Sequence, residues 1–245
     1  MILVVGGAGF VGSHVVNLLL EKGPVVVYDN LSTGHRGAVD ERAIFIEGDL
    51  SDQKRLTQIF TLFPVHAVIH FAASDSVKEA MGNPEYYYEN NVGGTLALLK
   101  VMRACRVKNI VLSSAVMACT EENDLLQGQK CMIEQMLEVY TKAYDMNGSV
   151  LRYCKSTSVQ ASVSGSPEAA ISEGTGNRGL NNVAEVANAH VSALEALERG
   201  ELAFKMYDLS AVSSKNSQQE LDWQAERNVH EMIEDAWNWH ENSKC

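Results

Sequence analysis

The sequence predicts an α/β protein built on one parallel sheet with helices on both faces. Short apolar runs alternate along the chain with segments whose apolar residues recur at helical spacing. Most of the short runs are apolar at every position, which is typical of strands buried on both faces. The alternation of the two patterns favours a parallel sheet covered by helices over an antiparallel one.

The predicted elements begin with a strand over residues 1–5 and a helix over 10–22, which ends at Gly23 as a candidate C-terminal cap. Further strands are predicted at 24–28, 43–46, 66–71, 109–112, 149–153 and 204–209, about seven in all. Helices are predicted from Ser51 or Asp52 to Phe63, from Pro84 through Met102, and over 127–144, 182–197 and 229–240. The helix over 127–144 is expected to bury one face, formed by Met132, Ile133, Met136, Leu137 and Tyr140.

A glycine-rich turn between the first strand and the first helix predicts a dinucleotide site. Gly6 allows a sharp turn out of the strand, Gly9 lets the backbone approach a pyrophosphate, and Gly12 lets the helix lie close to the strand. The helix N-terminus would then present free N–H groups to the phosphates. Asp29, at the end of the second strand, would bind the adenosine ribose and repel a 2′-phosphate, which favours NAD over NADP.

Composition and charge narrow the choice of partners. A formal net charge of −11 argues against nucleic acid and anionic membranes as general partners. No apolar stretch approaches the roughly 20 residues that a membrane-spanning helix needs. The five cysteines (Cys105, Cys119, Cys131, Cys154 and Cys245) show no C-x-x-C spacing, so we expect reduced thiols, a cytoplasmic setting and no metal site.

Three regions are expected along the chain. Residues 1–155 form a Rossmann-type, doubly wound dinucleotide-binding core. Residues 156–182 are rich in Ser, Gly, Ala and Asn and are predicted to be a loop. Residues 183–245 supply a helix, a returning strand and a C-terminal amphipathic helix that packs on the core as the remnant of a substrate domain.

With these motifs in order, the chain resembles the extended short-chain dehydrogenase/reductases, and most closely the UDP-glucose (UDP-hexose) 4-epimerases. The resemblance rests on motifs in family order over nearly the whole chain: 6–14, 29–34, 48–50, 70–73, 87–92, Lys130 with 132–135, 151–153, 186–190 and 236–240. It implies a set of residues that contact NAD or lie along its path: Gly6, Gly9, Phe10, Val11, Gly12, Asp29, Asn30, Asp49, Leu50, Phe71, Ala72, Ala73, Asn91, Ser113, Lys130 and Tyr153. In the family, the lysine also bonds the nicotinamide ribose, and two long helices, here about 84–104 and 127–146, form a dimer contact.

The chain departs from the family where the chemistry takes place. The family reaction needs a tyrosine four residues before the lysine and a Ser or Thr on the fifth strand, but Leu126 and Ala115 stand there. Neither side chain can transfer a proton, so the family reaction is expected near background. Lys155 replaces a sugar-nucleotide asparagine, and the stretch 156–182 replaces the longer segment that carries most of the nucleotide-sugar site, so UDP-sugar binding is not expected.

Three functional hypotheses follow. The first is an NAD(H)- or adenine-nucleotide-binding domain without epimerase activity, either a natural pseudoenzyme or an engineered, pruned epimerase. The second is an enzyme, either with residual epimerase or oxidoreductase activity or with a repurposed site that uses Cys119, Cys131, Cys154, Lys130 or Lys155. The third is a scaffold that binds no cofactor. A homodimer is compatible with the two long helices.

Overall fold

A computed structural model of the 245-residue chain describes residues 1–72, 82–115, 125–153, 182–201 and 203–209. Its strands are β1 (Ile2–Val5), β2 (Val25–Asp29), β3 (Ile44–Glu47), β4 (Ala67–His70), β5 (Asn109–Ala115), β6 (Asn147–Tyr153) and β7 (Phe204–Asp208). Its helices are α1 (Phe10–Leu20), α2 (Gln53–Leu62), α3 (Pro84–Tyr87), α4 (Gly94–Ala104), α5 (Leu125–Tyr144) and α6 (Val183–Glu198). Single-turn segments lie at Arg36–Ala38 (3₁₀) and Tyr88–Gly93 (π).

All seven strands pair in parallel, in the order β3-β2-β1-β4-β5-β6-β7. The order reverses between β1 and β4, which is the topological switch point where ligands bind in sheets of this kind. The prediction of a Rossmann-type, doubly wound sheet is therefore confirmed.

Burial of both sheet faces explains the apolar runs in the sequence. Val4, Val27 and Ile69 pack on one face with residues of α1 and α6. Leu3, Val26, Val68, Ile110 and Val150 pack on the other with residues of α2, α4 and α5. Because successive strand residues point to opposite faces, each central strand must be apolar throughout.

A buried ion pair joins α5 to the sheet. The side chain of Glu134 is only 3% exposed and accepts hydrogen bonds from Ser114 Oγ at 2.5 Å and Arg152 Nε at 3.0 Å. Arg152 Nη2 donates to its second oxygen. The hydrogen bonds to Glu134 raise the pKa of Arg152 above its ordinary value. The helix is thereby fixed to β5 and β6, directly beside the strand ends.

Several elements differ from the predicted ones. β5 runs on to Ala115 and β6 begins at Asn147, because their pairing continues for seven registered residues through polar positions. Gly23 donates its N–H to the Leu19 carbonyl at 3.0 Å but has no positive φ, so it is not a left-handed cap. Met132 was expected on the buried face of its helix, yet it is 49% exposed, because Ile133 and Leu137 form the buried stripe.

The two cysteines that the structure describes differ in their state. Cys105 is a free thiol, and burial raises its pKa. Cys131 is disulfide-bonded, which corrects the expectation of reduced thiols at that position.

None of the helices in the described ranges is both long and apolar enough to cross a bilayer. The predicted loop over 156–182, except Asn182, and the helix over 229–240 lie outside the described residues.

Candidate dinucleotide-binding site

The glycine turn between β1 and α1 is packed so tightly that two of its glycines cannot carry a side chain. Gly6 has φ +79°, and a Cβ there would lie 2.6 Å from the backbone nitrogen of Ala72. A Cβ on Gly12 would lie 2.3 Å from the Gly6 carbonyl oxygen. The first turn of α1 therefore packs directly on the glycine turn. The glycine turn in turn packs on the backbone of Phe71 and Ala72, which follow β4 at the switch point.

Gly9 differs from these two glycines, because the space in front of it is open. A Cβ on Gly9 would touch only the Gly6 carbonyl oxygen among the described atoms, at 3.4 Å. Gly9 is the N-cap of α1 and supplies no side-chain cap, and Phe10 and Val11 form the first turn. An uncapped helix N-terminus with open space before it suits an anionic phosphate group.

Asp29 lies at the carboxyl end of β2, next to the glycine turn. It is 8% exposed, and its two carboxylate oxygens accept the N–H groups of Ala8 at 2.9 Å and Leu31 at 2.8 Å. A carboxylate can accept about four hydrogen bonds. Two acceptor positions therefore remain for ribose hydroxyl groups, so the residues present fit the adenosine half of a dinucleotide.

The end of β3 adds a second acidic residue to this rim. Asp49 accepts a hydrogen bond from Asn30 Nδ2 at 2.7 Å, and the neighbouring Leu50 is buried. The Tyr28 hydroxyl donates to the Asp49 carbonyl at 2.7 Å, and burial raises the pKa of Tyr28 to about 12. The four predicted adenosine-side residues Asp29, Asn30, Asp49 and Leu50 are thus brought together.

Aromatic and hydroxyl side chains meet at the ends of β4, β5 and β6. Ser113 Oγ and Tyr153 Oη are 2.6 Å apart. The ring of His190, from α6, lies 4.8 Å from that of Phe71 and 5.8 Å from that of Tyr153, between ring centroids. The sequence assigned no role to His190, although a histidine within an otherwise apolar helix stripe was a usable signal.

His190 is fully buried and holds one fixed tautomer. Its Nδ1 contacts the Val186 carbonyl oxygen at 2.8 Å, so Nδ1 carries the proton. Its Nε2 has no hydrogen-bond partner in the described structure and is left as an acceptor. Burial lowers the pKa of His190 to about 4.

A buried polar chain links the end of β4 to α5. Thr95 Oγ1 donates to the Asn91 carbonyl at 2.7 Å, so it accepts from His70 Nε2 at 2.9 Å. Asn91 Nδ2 donates to Gln129 Oε1 at 2.8 Å. Asn91 sits in the π segment, and such segments often occur at functional sites. The sequence predicted Asn91 as a residue on the path to the nicotinamide and assigned no role to His70, Thr95 or Gln129.

The residues that matter most for chemistry lie on β5 and α5. Ala115 ends β5 and pairs in register with Tyr153. Lys130 follows the buried Gln129 on α5. The pKa of His70 is lowered to about 3, mainly by the burial of His70 and also by the positive charge of Lys130. Leu126 lies in the first turns of the same helix. Ala73 lies outside the described residues, so its predicted place at the site stays a prediction.

The two buried histidines predict a loss of stability in mild acid. Unfolded histidines titrate near pH 6.5, whereas the pKa values of folded His70 and His190 are about 3 and about 4. Between those limits the unfolded state binds more protons, so the free energy of unfolding should fall as pH falls below about 6.5, with a limiting slope of about 1.4 kcal/mol per pH unit for each histidine.

Urea unfolding at pH 7.5, 6.5, 5.5 and 5.0 measures this slope above the range in which carboxylates titrate. His66→Gln is a suitable control, because the side chain of His66 is 53% exposed. A flat stability profile over this interval would contradict the neutral, buried state of both rings.

A parallel, doubly wound sheet with an uncapped glycine turn and an acidic residue at the next strand end defines a dinucleotide-binding α/β protein. Residues 2–210 match the model of the NAD dependent epimerase/dehydratase family, and the chain belongs to this family. The family is NAD-dependent, which confirms at that level the cofactor predicted from the glycine turn and Asp29.

Similar proteins agree with this assignment. The UDP-glucose 4-epimerase of Lacticaseibacillus casei is 29% identical over 320 positions, which cover 98% of this chain and 97% of that protein. That of Erwinia amylovora is 30% identical over 327 positions, covering 97% of each. That of Streptococcus mutans is 42% identical over 168 positions, which cover 62% of this chain and 50% of that protein.

Solved structures agree as well. A crystal structure of a UDP-glucose 4-epimerase superposes with a TM-score of 0.87 at 28% identity, covering 99% of this chain and 98% of that one. The Brucella ovis UDP-glucose 4-epimerase in complex with NAD superposes with a TM-score of 0.79 at 26% identity, covering 95% of each chain. The resemblance to UDP-glucose 4-epimerases is confirmed. The individual contact residues stay predictions.

Proposed function

We propose that the chain is an NAD(H)-binding protein that does not catalyse the epimerisation of a UDP-hexose. The observation that carries the proposal is the open helix N-terminus at Gly9, flanked by Asp29. An open, uncapped N-terminus beside a carboxylate with two acceptor positions left is suited to a pyrophosphate and its ribose.

The roles of this chain's residues follow the shape of the cofactor. Gly6, Gly9 and Gly12, with Phe10 and Val11, would hold the pyrophosphate at the start of α1. Asp29, Asn30, Asp49 and Leu50 would hold the adenosine, and the remaining predicted residues would line the path to the nicotinamide: Phe71, Ala72, Ala73, Asn91, Ser113, Lys130 and Tyr153. When bound, NAD supplies hydride acceptance and return.

The proposed loss of catalysis rests on two side chains. Ala115 stands at the end of β5 without a hydroxyl, and Leu126 stands on α5 four residues before Lys130. A general base contributes about 10²- to 10⁴-fold in rate, and an alkyl side chain contributes none of it. Lys130 would then serve the cofactor rather than a tyrosine.

A reduced substrate segment is proposed on the basis of length. The alignment with the L. casei enzyme spans 320 positions, 75 more than the 245 residues of this chain. At least that many positions of the relative therefore have no counterpart here. We infer that UDP-sugar binding is lost with them, whether by natural divergence or by engineering.

NADH titration followed by nicotinamide fluorescence, with NADPH in parallel, tests cofactor binding. We expect saturable binding of NADH and weaker binding of NADPH, because the Asp29 charge opposes a 2′-phosphate. Asp29→Asn should weaken NADH binding about tenfold, since one of the two backbone N–H groups loses its acceptor. If neither nucleotide binds, the hypothesis of a scaffold without a cofactor is favoured.

A turnover assay with UDP-galactose tests the absence of catalysis. The unsubstituted chain should show no turnover above background, and any gain should require Leu126→Tyr together with Ala115→Ser. Clear turnover by the unsubstituted chain would contradict the proposal and favour the enzyme hypothesis.

One observation favours residual oxidoreductase activity as the second candidate. Ser113 and Tyr153 form a close hydroxyl pair at the strand ends, where a proton could be exchanged. A repurposed cysteine site is less well supported, because Cys131 is disulfide-bonded. The proposal of a homodimer through α4 and α5 is supported by exposed apolar side chains on α5: Met132, Val139 and Tyr144.

A further inference from the structure

The turn after β2 holds its carboxylate in one position. Asp29 Oδ2 accepts from the Ala8 N–H and Oδ1 from the Leu31 N–H. Leu31 adopts a left-handed conformation, φ +57°, which is uncommon for a residue with a branched side chain. The Ala8 carbonyl in turn accepts the His35 N–H at 3.1 Å. The glycine turn and the loop after β2 are therefore one hydrogen-bonded unit around Asp29.

Asn30 extends this unit to the end of β3. Its Oδ1 accepts the Ser32 N–H at 3.0 Å, and its Nδ2 donates to Asp49 Oδ2 at 2.7 Å. Both polar atoms of the amide are used, so the orientation of the Asn30 side chain is fixed by a bond at each end. The amide is a bridge between two strand ends that each carry a carboxylate.

Asp49 is held in its charged form. Its Oδ1 accepts both the backbone N–H of Ser51 at 2.9 Å and the Ser51 hydroxyl at 2.7 Å. Burial raises the pKa of Asp49, but the hydrogen bonds from Ser51 and Asn30 outweigh burial and bring it below the ordinary value. The group is an anion at neutral pH.

The arginines that follow this turn in sequence are engaged elsewhere. Arg36 donates to the Val39 carbonyl at 3.1 Å, and its guanidinium lies 4.7 Å from the centre of the Phe45 ring. Arg42 pairs with Asp40 and with Glu21, both at 2.9 Å or less. Arg is the usual partner for a ribose phosphate, and both of these guanidinium groups already have partners of their own.

We propose that Asp49 is a second specificity-determining carboxylate, which acts with Asp29 through the Asn30 bridge to exclude dinucleotides that carry a 2′-phosphate. The inference rests on the proposed NAD site and deepens it. It has a direct consequence for engineering the cofactor preference. Replacing Asp29 alone removes one of two negative charges and leaves that of Asp49, so it does not produce a preference for NADP.

The test compares the affinities for NADH and NADPH, measured by nicotinamide fluorescence at 20 mM and 300 mM salt. Asp49→Asn should shift the NADPH-to-NADH affinity ratio towards NADPH by about tenfold at low salt and by much less at high salt, because salt screens exposed charges. The matched control is Glu138→Gln, which removes one negative charge from an exposed position on α5, outside the proposed cofactor site. It should keep the original ratio at both salt concentrations.

A measurement on Asp29→Asn keeps the inference testable if Asp49→Asn does not fold. Discrimination against NADPH should persist in this variant and should weaken as salt is added, since Asp49 remains charged. A purely structural role for Asp49 would not give that salt dependence.

The outcomes separate the two proposals. If NADH binds and Asp49→Asn leaves the affinity ratio unchanged at both salt concentrations, the specificity role of Asp49 is contradicted, while the proposed NAD site is not. If the unsubstituted chain binds no NADH, the NAD site itself fails, before any variant is compared.

Discussion

Gly9→Ala should weaken NADH binding by at least about 100-fold and leave the fold intact. The backbone at Gly9, φ −77° and ψ 171°, is ordinary for alanine, and the added Cβ would touch only the Gly6 carbonyl oxygen among described atoms, at 3.4 Å. The methyl group would instead project into the open space where a pyrophosphate must approach the helix N-terminus.

The measurement is a pair of curves for each variant: thermal unfolding and NADH fluorescence. Gly23→Ala is the matched control, since a Cβ there would meet no described atom within 4 Å and its φ is not positive. It should alter neither curve. Gly12→Ala should lower the melting temperature as well as binding, because its Cβ would lie 2.3 Å from a backbone oxygen. Undiminished NADH affinity in Gly9→Ala would place the cofactor elsewhere.

Glu134→Ala should have the largest effect on stability, a loss of about 3–5 kcal/mol in the free energy of unfolding. The substitution leaves Arg152, whose side chain is 22% exposed, and Ser114, which is 4% exposed, without their carboxylate partner at the junction of α5 with the sheet. Removing the buried member of such a pair costs more than the pair contributes, because the largely buried Arg152 and the buried Ser114 both lose the acceptor of their hydrogen bonds.

Glu138→Ala, one turn later on the same helix, is the control. Its pair with Lys142 is exposed, 38% and 71% for the two side chains, so its loss should cost no more than about 0.5 kcal/mol. Urea unfolding at pH 7.5 compares the two. Equal and small effects would mean that the buried pair does not fix α5 to the sheet.

The core of the fold could be predicted from the sequence because burial on both faces imposes a simple pattern. Val26 and Val27 pack on opposite faces, so β2 had to be apolar throughout. Strand ends were less predictable. Ser113 to Ala115 remain in β5 because β6 pairs with them, and that depends on a partner more than thirty residues away rather than on local preference.

The candidate site shows the same division. Gly6, Gly12 and Asp29 were predictable because each has a local reason to be that residue type. The pairing of Asn91 with Gln129 was not, since it joins two helices whose relative placement no local pattern encodes. Met132 was placed on the wrong face because helical spacing alone does not decide which edge of an apolar stripe is covered.

The π segment at Tyr88–Gly93 makes this helix sensitive to length rather than to composition. A wider turn accommodates roughly one more residue than an α-helical turn, so deleting a single residue there would restore a regular helix and rotate everything before it by about 100° about the axis. The amide of Asn91 would then leave Gln129, and α3 would face a different direction. Substitutions keep the number of residues in the turn, so a survey of substitutions would not detect this sensitivity to length. A scan of single-residue deletions from 88 to 93 would detect it as an intolerance of deletions that is confined to these positions.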